Sequence, residues 1–379
     1  MFEYILGIFA ESSHIPLFYL TLFVAFSFHP GLNRAVHREH LSSYAREYGM
    51  NNWLVQLCFI YFDWIILASP DKERWHKIHQ AGTVQATKAD TDEVPQGFFA
   101  RFWFALRMQF NTRGIGWSHQ PEKAPRSYPP GYPLSKFILN KLVRAAVFFF
   151  VQDQIVAYLA TTPYGVYKGN EHIKPSVGLE NASWAESFAL CWVNITVIYV
   201  SVESGISILN ILFVLCGYPV EECLPAFGDI KEMYTVRKSW GTVWHMMMRR
   251  QASSIGTWLA RDVLRFRKGT FGSRYTQLFA GFLVTGAIHG FAAMLTHRDF
   301  STNREFEFFM SQAVMIFIED HVIKLGKALG LRPNRFWRLV GYISTIIWFG
   351  HSVAIWQSSS VRRGMWVFSP SYDLLGLGP

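Results

Sequence analysis

Residues 276–296 read TQLFAGFLVTGAIHGFAAMLT, with no Asp, Glu, Lys or Arg, and His289 as the one ionisable group. About 20 apolar residues cross a bilayer core as a helix, so the stretch predicts a membrane span. An ionisable side chain is costly at that depth and by default marks a site. On or near the same helical face lie small residues: Gly281, Thr285, Gly286, Ala292 and Ala293. They leave room beside the imidazole for another helix or for a substrate. Small residues also line tight helix–helix seams. The stretch alone therefore leaves a packing histidine and a working histidine both open.

The rest of the chain agrees with a membrane setting. Half of its 379 residues are hydrophobic and 17% are charged, against roughly 25% in soluble domains. Further long apolar runs fall near residues 14–30, 52–69, 144–161, 188–217, 306–323 and 337–357. The run 188–217 is long enough for one tilted helix or two short ones, with Glu203 and Gly205 where a break would fall. The expected fold is all-α: one polytopic membrane domain over 1–379, with seven to eight spans. The first run has no basic lead and no small-residue cleavage site after it, so it reads as a retained helix. Cys58, Cys191 and Cys216 lie in apolar runs and Cys223 stands alone in a loop, without the paired spacing of a zinc or redox site.

Charge orients the spans. The segment 219–275 carries ten Lys or Arg and the short loop 324–338 five, while 162–187 and 297–305 carry two each. The positive-inside rule places 219–275, 324–338 and the basic loop 70–143 in the cytosol. The N-terminus is then cytosolic and the C-terminus lumenal. Asn181-Ala182-Ser183 falls on the lumenal side, as glycosylation of Asn181 requires, whereas Asn194-Ile195-Thr196 lies inside a span. These basic residues border membrane spans, which argues against nucleic acid as a partner. Residues 90–93, Asp-Thr-Asp-Glu, form one acidic cluster in a loop and read as a solvated turn.

The segment 239–268, SWGTVWHMMMRRQASSIGTWLARDVLRFRK, repeats large apolar residues at helical spacing among five arginines. This predicts one or two amphipathic helices at the cytosolic interface. His245 needs a further account, because it sits between aromatic-rich turns.

These motifs together resemble a family. Leu224-Pro225-Ala226-Phe227-Gly228, then Ser239-Trp240 and Trp244-His245, then Thr285-Gly286-Ala287-Ile288-His289, look like the wax-synthase branch of the membrane-bound O-acyltransferases. Arg113-Gly114-Ile115-Gly116-Trp117 resembles a cytosolic motif of fungal members. The resemblance covers roughly residues 101–323 and is strongest to acetyltransferases of fungal terpenoid and meroterpenoid pathways. Many members carry Asn where this chain has His245.

The resemblance implies transfer of an acyl group, most of all acetyl from acetyl-CoA, to a hydrophobic alcohol, in the endoplasmic reticulum membrane. A hydroxyl is a weak nucleophile, and a neutral histidine can take its proton near working pH. His289 is the candidate base, and His245 the candidate partner of the thioester carbonyl. Trp240, Trp244 and Thr285 are expected at the substrates, and Arg237, Lys238, Arg249 and Arg250 at the phosphates of the donor. Those four cations would equally suit an anionic lipid surface. No metal and no permanently bound cofactor is expected. A long-chain wax-ester synthase is the neighbouring reading. A di-iron oxidase would draw on His37, His40, His76 and His79, and a transporter would show internal repeats, which the chain lacks.

Overall fold

The computed structural model describes residues 44–67, 97–99, 111, 113–120, 128–129, 131–167, 178–297, 304–368 and 374–376. The first apolar run, the two histidine pairs and the acidic cluster lie outside the described residues. Seven helices dominate what is described. They are α1 (Tyr44–Tyr61), α2 (Leu134–Ala160), α3 (Trp184–Leu215), α4 (Arg249–Trp258), α5 (Phe271–His297), α6 (Glu305–Ala328) and α7 (Arg335–Arg362). One short parallel ladder, Val166–Tyr167 with Val367–Phe368, ties the end of α2 to the segment after α7. Among the described residues, α3, α5 and α7 are long and apolar enough to cross a membrane.

The run 188–217 forms one helix of 32 residues, unbroken at Glu203 and Gly205. Ser183 starts it, its hydroxyl accepting the Glu186 N–H. Such a cap supplies an acceptor that the first helical turn otherwise lacks. Glu203 does not break the helix, because its buried charge is paired with Arg144 of α2 at 3.0 Å.

α1 begins eight residues before the run read as a span. Residues 44–51 look polar, yet Tyr44, Tyr48, Asn51, Asn52 and Val55 are buried at three- and four-residue spacing. That row packs on α5: Val55 joins Val284, Ile288 and Leu295 in one apolar cluster, and Asn51 Nδ2 donates to Thr296 Oγ1 at 2.9 Å. α5 also presses on α6 at Gly286, where an added Cβ would come within 3.4 Å of Phe306 and Phe309.

The interfacial segment 239–268 is two helical pieces rather than one. A turn at Ser239–Val243 ends at Trp244, whose backbone is extended (φ −67°, ψ 150°), and α4 starts at Arg249. The break frees Trp244 and His245 from a helical face and turns both toward the bundle.

Candidate active site

The chain after α3 doubles back along it. Asn210 Nδ2 donates to the carbonyls of Cys223 and Leu224 at 3.2 and 3.1 Å. About two helical turns deeper, the Glu203 carboxylate accepts the Ala226 N–H at 2.8 Å. Arg113 donates to the carbonyls of Pro225 and Leu224 at 2.5 and 3.0 Å. An irregular backbone buried inside a membrane protein must find its partners within the protein. Here two side chains of α3 and one from the distant Arg113 motif supply them, and this accounts for the role of Arg113 in its motif.

The loop is locked to the next motif at Gly228. Its N–H donates to the Val243 carbonyl at 2.9 Å, and a Cβ at this position would lie 2.0 Å from the Thr242 carbonyl oxygen. Phe227 is thereby set edge-on to Trp244 (5.2 Å between centroids) and to His245 (5.7 Å).

His245 keeps part of its surface open, but its Nδ1 is buried with no side-chain partner among the described residues. Burial, reinforced by the nearby Arg113 cation, pushes its imidazole down to about 4. It is neutral at neutral pH, and a neutral imidazole can offer one N–H to a carbonyl.

Trp240 is the wall between the two histidines. Its ring packs on Phe282 of α5, Phe308 and Phe309 of α6 and Phe349 of α7. Its indole N–H donates to Gln312 Oε1 at 3.3 Å. Gln312 is fully buried, accepts a second bond from Trp348 at 2.8 Å, and donates to Ser352 at 3.2 Å. One amide therefore holds the tryptophan motif, α6 and α7 in register.

His289 is held on three sides. Phe309 stacks on its ring at 4.7 Å, Trp356 approaches edge-on at 6.1 Å, and the Tyr48 hydroxyl lies 2.9 Å from Nδ1. Nε2 has no hydrogen-bond partner among the described residues. A run of ring contacts connects the two histidines: His289, Phe309, Trp240, Trp244, His245.

The remaining expected residues fall around this centre. Thr285, one turn from His289, donates its hydroxyl to the Gly281 carbonyl at 2.9 Å. Each of the four cations has a protein partner. Arg237 makes two bonds to Asp320, at 2.9 and 2.6 Å, and Lys238 meets Glu232 and Tyr234. Arg249 donates to the Gly241 carbonyl, and Arg250 pairs at 2.9 Å with Asp63, which is fully buried. Glu319 accepts the backbone N–H groups of Val236 and Arg237, so it fastens the loop to α6. Asn181 is exposed at the start of α3, whereas Asn194 is buried and accepts the Trp366 indole N–H.

Sequence reasoning missed Tyr48, Phe309, Gln312 and Trp356. The spacing of Tyr44, Tyr48, Asn51 and Val55 was the available signal for the first. Nothing in the sequence tied any of the four to His289 or Trp240, because those contacts cross 20 to 241 positions of chain and join different helices. Among the described residues, no three His, Cys, Asp or Glu side chains come together as a metal-holding group.

A histidine on an apolar, membrane-length helix and a second on a buried loop, joined by a run of aromatic rings, fit a membrane-embedded transferase. The profile of the "Membrane bound O-acyl transferase family" matches residues 223–311, which hold the Phe-Gly loop, both tryptophans and both histidines. The acetyltransferase sirH of Leptosphaeria maculans is 35% identical, over 97% of this chain and 95% of its own. The acetyltransferase ple2 of Rhodocybe pseudopiperita is 28% identical, over 83% and 78%. The O-Mevalon transferase macI of Penicillium terrestre is 26% identical, over 76% and 68%. No solved structure matches. The chain belongs to the membrane-bound O-acyltransferase family and is an O-acyltransferase. The transporter and di-iron readings end there.

Proposed function

We propose that this acyltransferase moves an acetyl group from acetyl-CoA to a hydroxyl of a hydrophobic terpenoid or meroterpenoid alcohol. The donor is suggested by relatives named as acetyltransferases, sirH and ple2 among them. The acceptor follows from the resemblance of the motifs and from an aromatic, apolar lining around His289.

The observation that carries the reading is the run of aromatic rings, Phe309, Trp240 and Trp244, that joins His289 to His245. His289 Nε2 takes the proton of the acceptor hydroxyl as that oxygen attacks the thioester carbon. His245 donates a hydrogen bond to the carbonyl oxygen, where negative charge develops. The tetrahedral intermediate collapses to the ester, the C–S bond breaks, and the departing thiolate takes the proton from His289. Donor and acceptor thus meet directly, with no acyl-enzyme. Trp244 and Thr285 border the reacting groups. For the donor phosphates, Arg237 and Lys238 offer the more open side chains, 37% and 33% exposed, against 16% for Arg250.

The same reading places the enzyme in the endoplasmic reticulum membrane with seven to eight spans, a cytosolic N-terminus and a lumenal, glycosylated Asn181. Microsomes containing the enzyme, given labelled acetyl-CoA or palmitoyl-CoA and an extract of terpenoid alcohols, test the function. Acetyl esters are expected. Transfer of the long chain alone would make the protein a wax-ester synthase.

A further inference from the structure

We propose that Tyr48 is a positioning residue for acyl transfer: its phenol oxygen accepts the Nδ1–H of His289 and so fixes the tautomer that leaves Nε2 bare toward the reacting hydroxyl. The inference rests on the reading of His289 as the base. Tyr48 lies outside the stretch matched by the family profile, on a helix 241 positions away in the chain.

The argument starts from the two forms of a neutral imidazole. One nitrogen carries a proton and the other a lone pair, and the partner of the first decides which is which. A phenol can donate or accept. Were Tyr48 to donate to Nδ1, the ring proton would sit on Nε2, and no base would face the substrate. With Nδ1–H donating to Tyr48, Nε2 carries the lone pair. When Nε2 then takes the hydroxyl proton, Nδ1–H still donates to the same oxygen. The bond therefore serves both the neutral ring and the cation without rearrangement, which is what preorganised catalysis needs.

The surroundings hold this arrangement in place. Phe309 lies nearly parallel to the imidazole, with 23° between the planes, and Trp356 closes the edge, so the ring has little freedom to turn. Tyr48 is itself buried and stacked on Tyr44, 7° from parallel. Its helix is pinned to the site at two further points. Asn51 bonds Thr296 of α5, and Gln56 Nε2 donates to the Met247 carbonyl at 2.8 Å, two residues from His245. The helix that carries Tyr48 thus spans both histidines.

The test is Tyr48→Phe, which removes one oxygen and keeps the stacked ring, measured beside His289→Gln in detergent-solubilised full-length enzyme. We expect Tyr48→Phe to melt within a few degrees of wild type. We expect kcat to fall about 10- to 100-fold, a part of the roughly 10²- to 10⁴-fold that a general base supplies. KM for acetyl-CoA should stay within about twofold, because the bond is to the base and not to a substrate. In the His289→Gln background the same change should cost no more than about twofold, since a residue acting through His289 has nothing left to position. A merely structural tyrosine would lower both backgrounds alike. Full activity of Tyr48→Phe with an inactive His289→Gln overturns the proposal and leaves the base assignment standing. An active His289→Gln overturns the base assignment itself. A change in KM alone overturns the positioning role.

Discussion

Gly228 donates its N–H to the Val243 carbonyl at 2.9 Å, and so joins the Phe-Gly loop to the tryptophan turn. The glycine is required by space. A methyl group there would meet the Thr242 carbonyl oxygen at 2.0 Å, and that oxygen belongs to backbone that cannot swing aside. Gly228→Ala is expected to push the two segments apart, at a cost of about 1–3 kcal/mol. Phe227 and His245 would separate, so kcat/KM should drop at least about tenfold, beyond what the loss of folded protein explains. A variant with normal turnover would show that the loop tolerates a shift.

His289→Gln keeps a similar size and can still hydrogen-bond, but it cannot take the proton. We expect turnover to fall by about 10²- to 10⁴-fold. Acetyl-CoA affinity, measured at equilibrium, should hold, and so should the melting temperature within a few degrees, because Gln is close to His in size. Substantial turnover in this variant would leave His289 as a packing residue.

His245→Ala should lower kcat strongly, and His245→Asn should retain part of it, because Asn can offer an N–H from a similar place. The same residue predicts a pH effect on stability. Its imidazole stays neutral down to about 4 in the folded protein, against about 6.5 when unfolded. The unfolded chain therefore gains the proton first as pH falls. The stability linked to this group is complete above about pH 6.5 and is lost progressively toward pH 4. The melting temperature of wild type should fall relative to that of His245→Asn as pH drops through that window. Parallel curves would mean that the ring is not held neutral by burial.

Arg250→Ala should act on stability rather than on donor binding. Its guanidinium faces the fully buried Asp63 carboxylate across α4 and the turn after α1. Taking the cation from a buried pair typically costs about 3–5 kcal/mol. We expect a clear fall in melting temperature, with KM for acetyl-CoA within about twofold in the protein that remains. A raised KM at unchanged stability would return Arg250 to the phosphate site.

Much of this site is visible in the sequence. The charge-free run of α5 declares its helix, and the isolated His289 declares its interest, because polarity inside a membrane is rare and costly. The motif around Trp240 and His245 is local and can be read as a string. The supports are not local. Tyr48 was hidden because residues 44–52 carry Arg46, Glu47 and two asparagines, and such a stretch reads as loop until a partner helix is known. Gln312 looks like any polar residue within a helix, and only the structure brings two indoles to its amide. The partners of the cations were hidden as well. Basic residues next to a site suggest an anionic ligand, and here each also meets an acid or a carbonyl of the protein itself.

The doubling back of the chain along α3 has a chemical consequence. Glu203 lies twelve residues before Leu215, about 18 Å along the axis, and it holds Ala226 at its own level. The Phe-Gly loop, and His245 against it, therefore sit well below the end of the helix. On the proposed function, the thioester reacts at that level of the bundle rather than at the helix end. Acetyl-CoA hydrolyses when water competes with an alcohol for its carbonyl, and this depth gives the alcohol the advantage. Without an acceptor, release of free acetate should be slow compared with ester formation in its presence, and a solvated surface site would not show that difference.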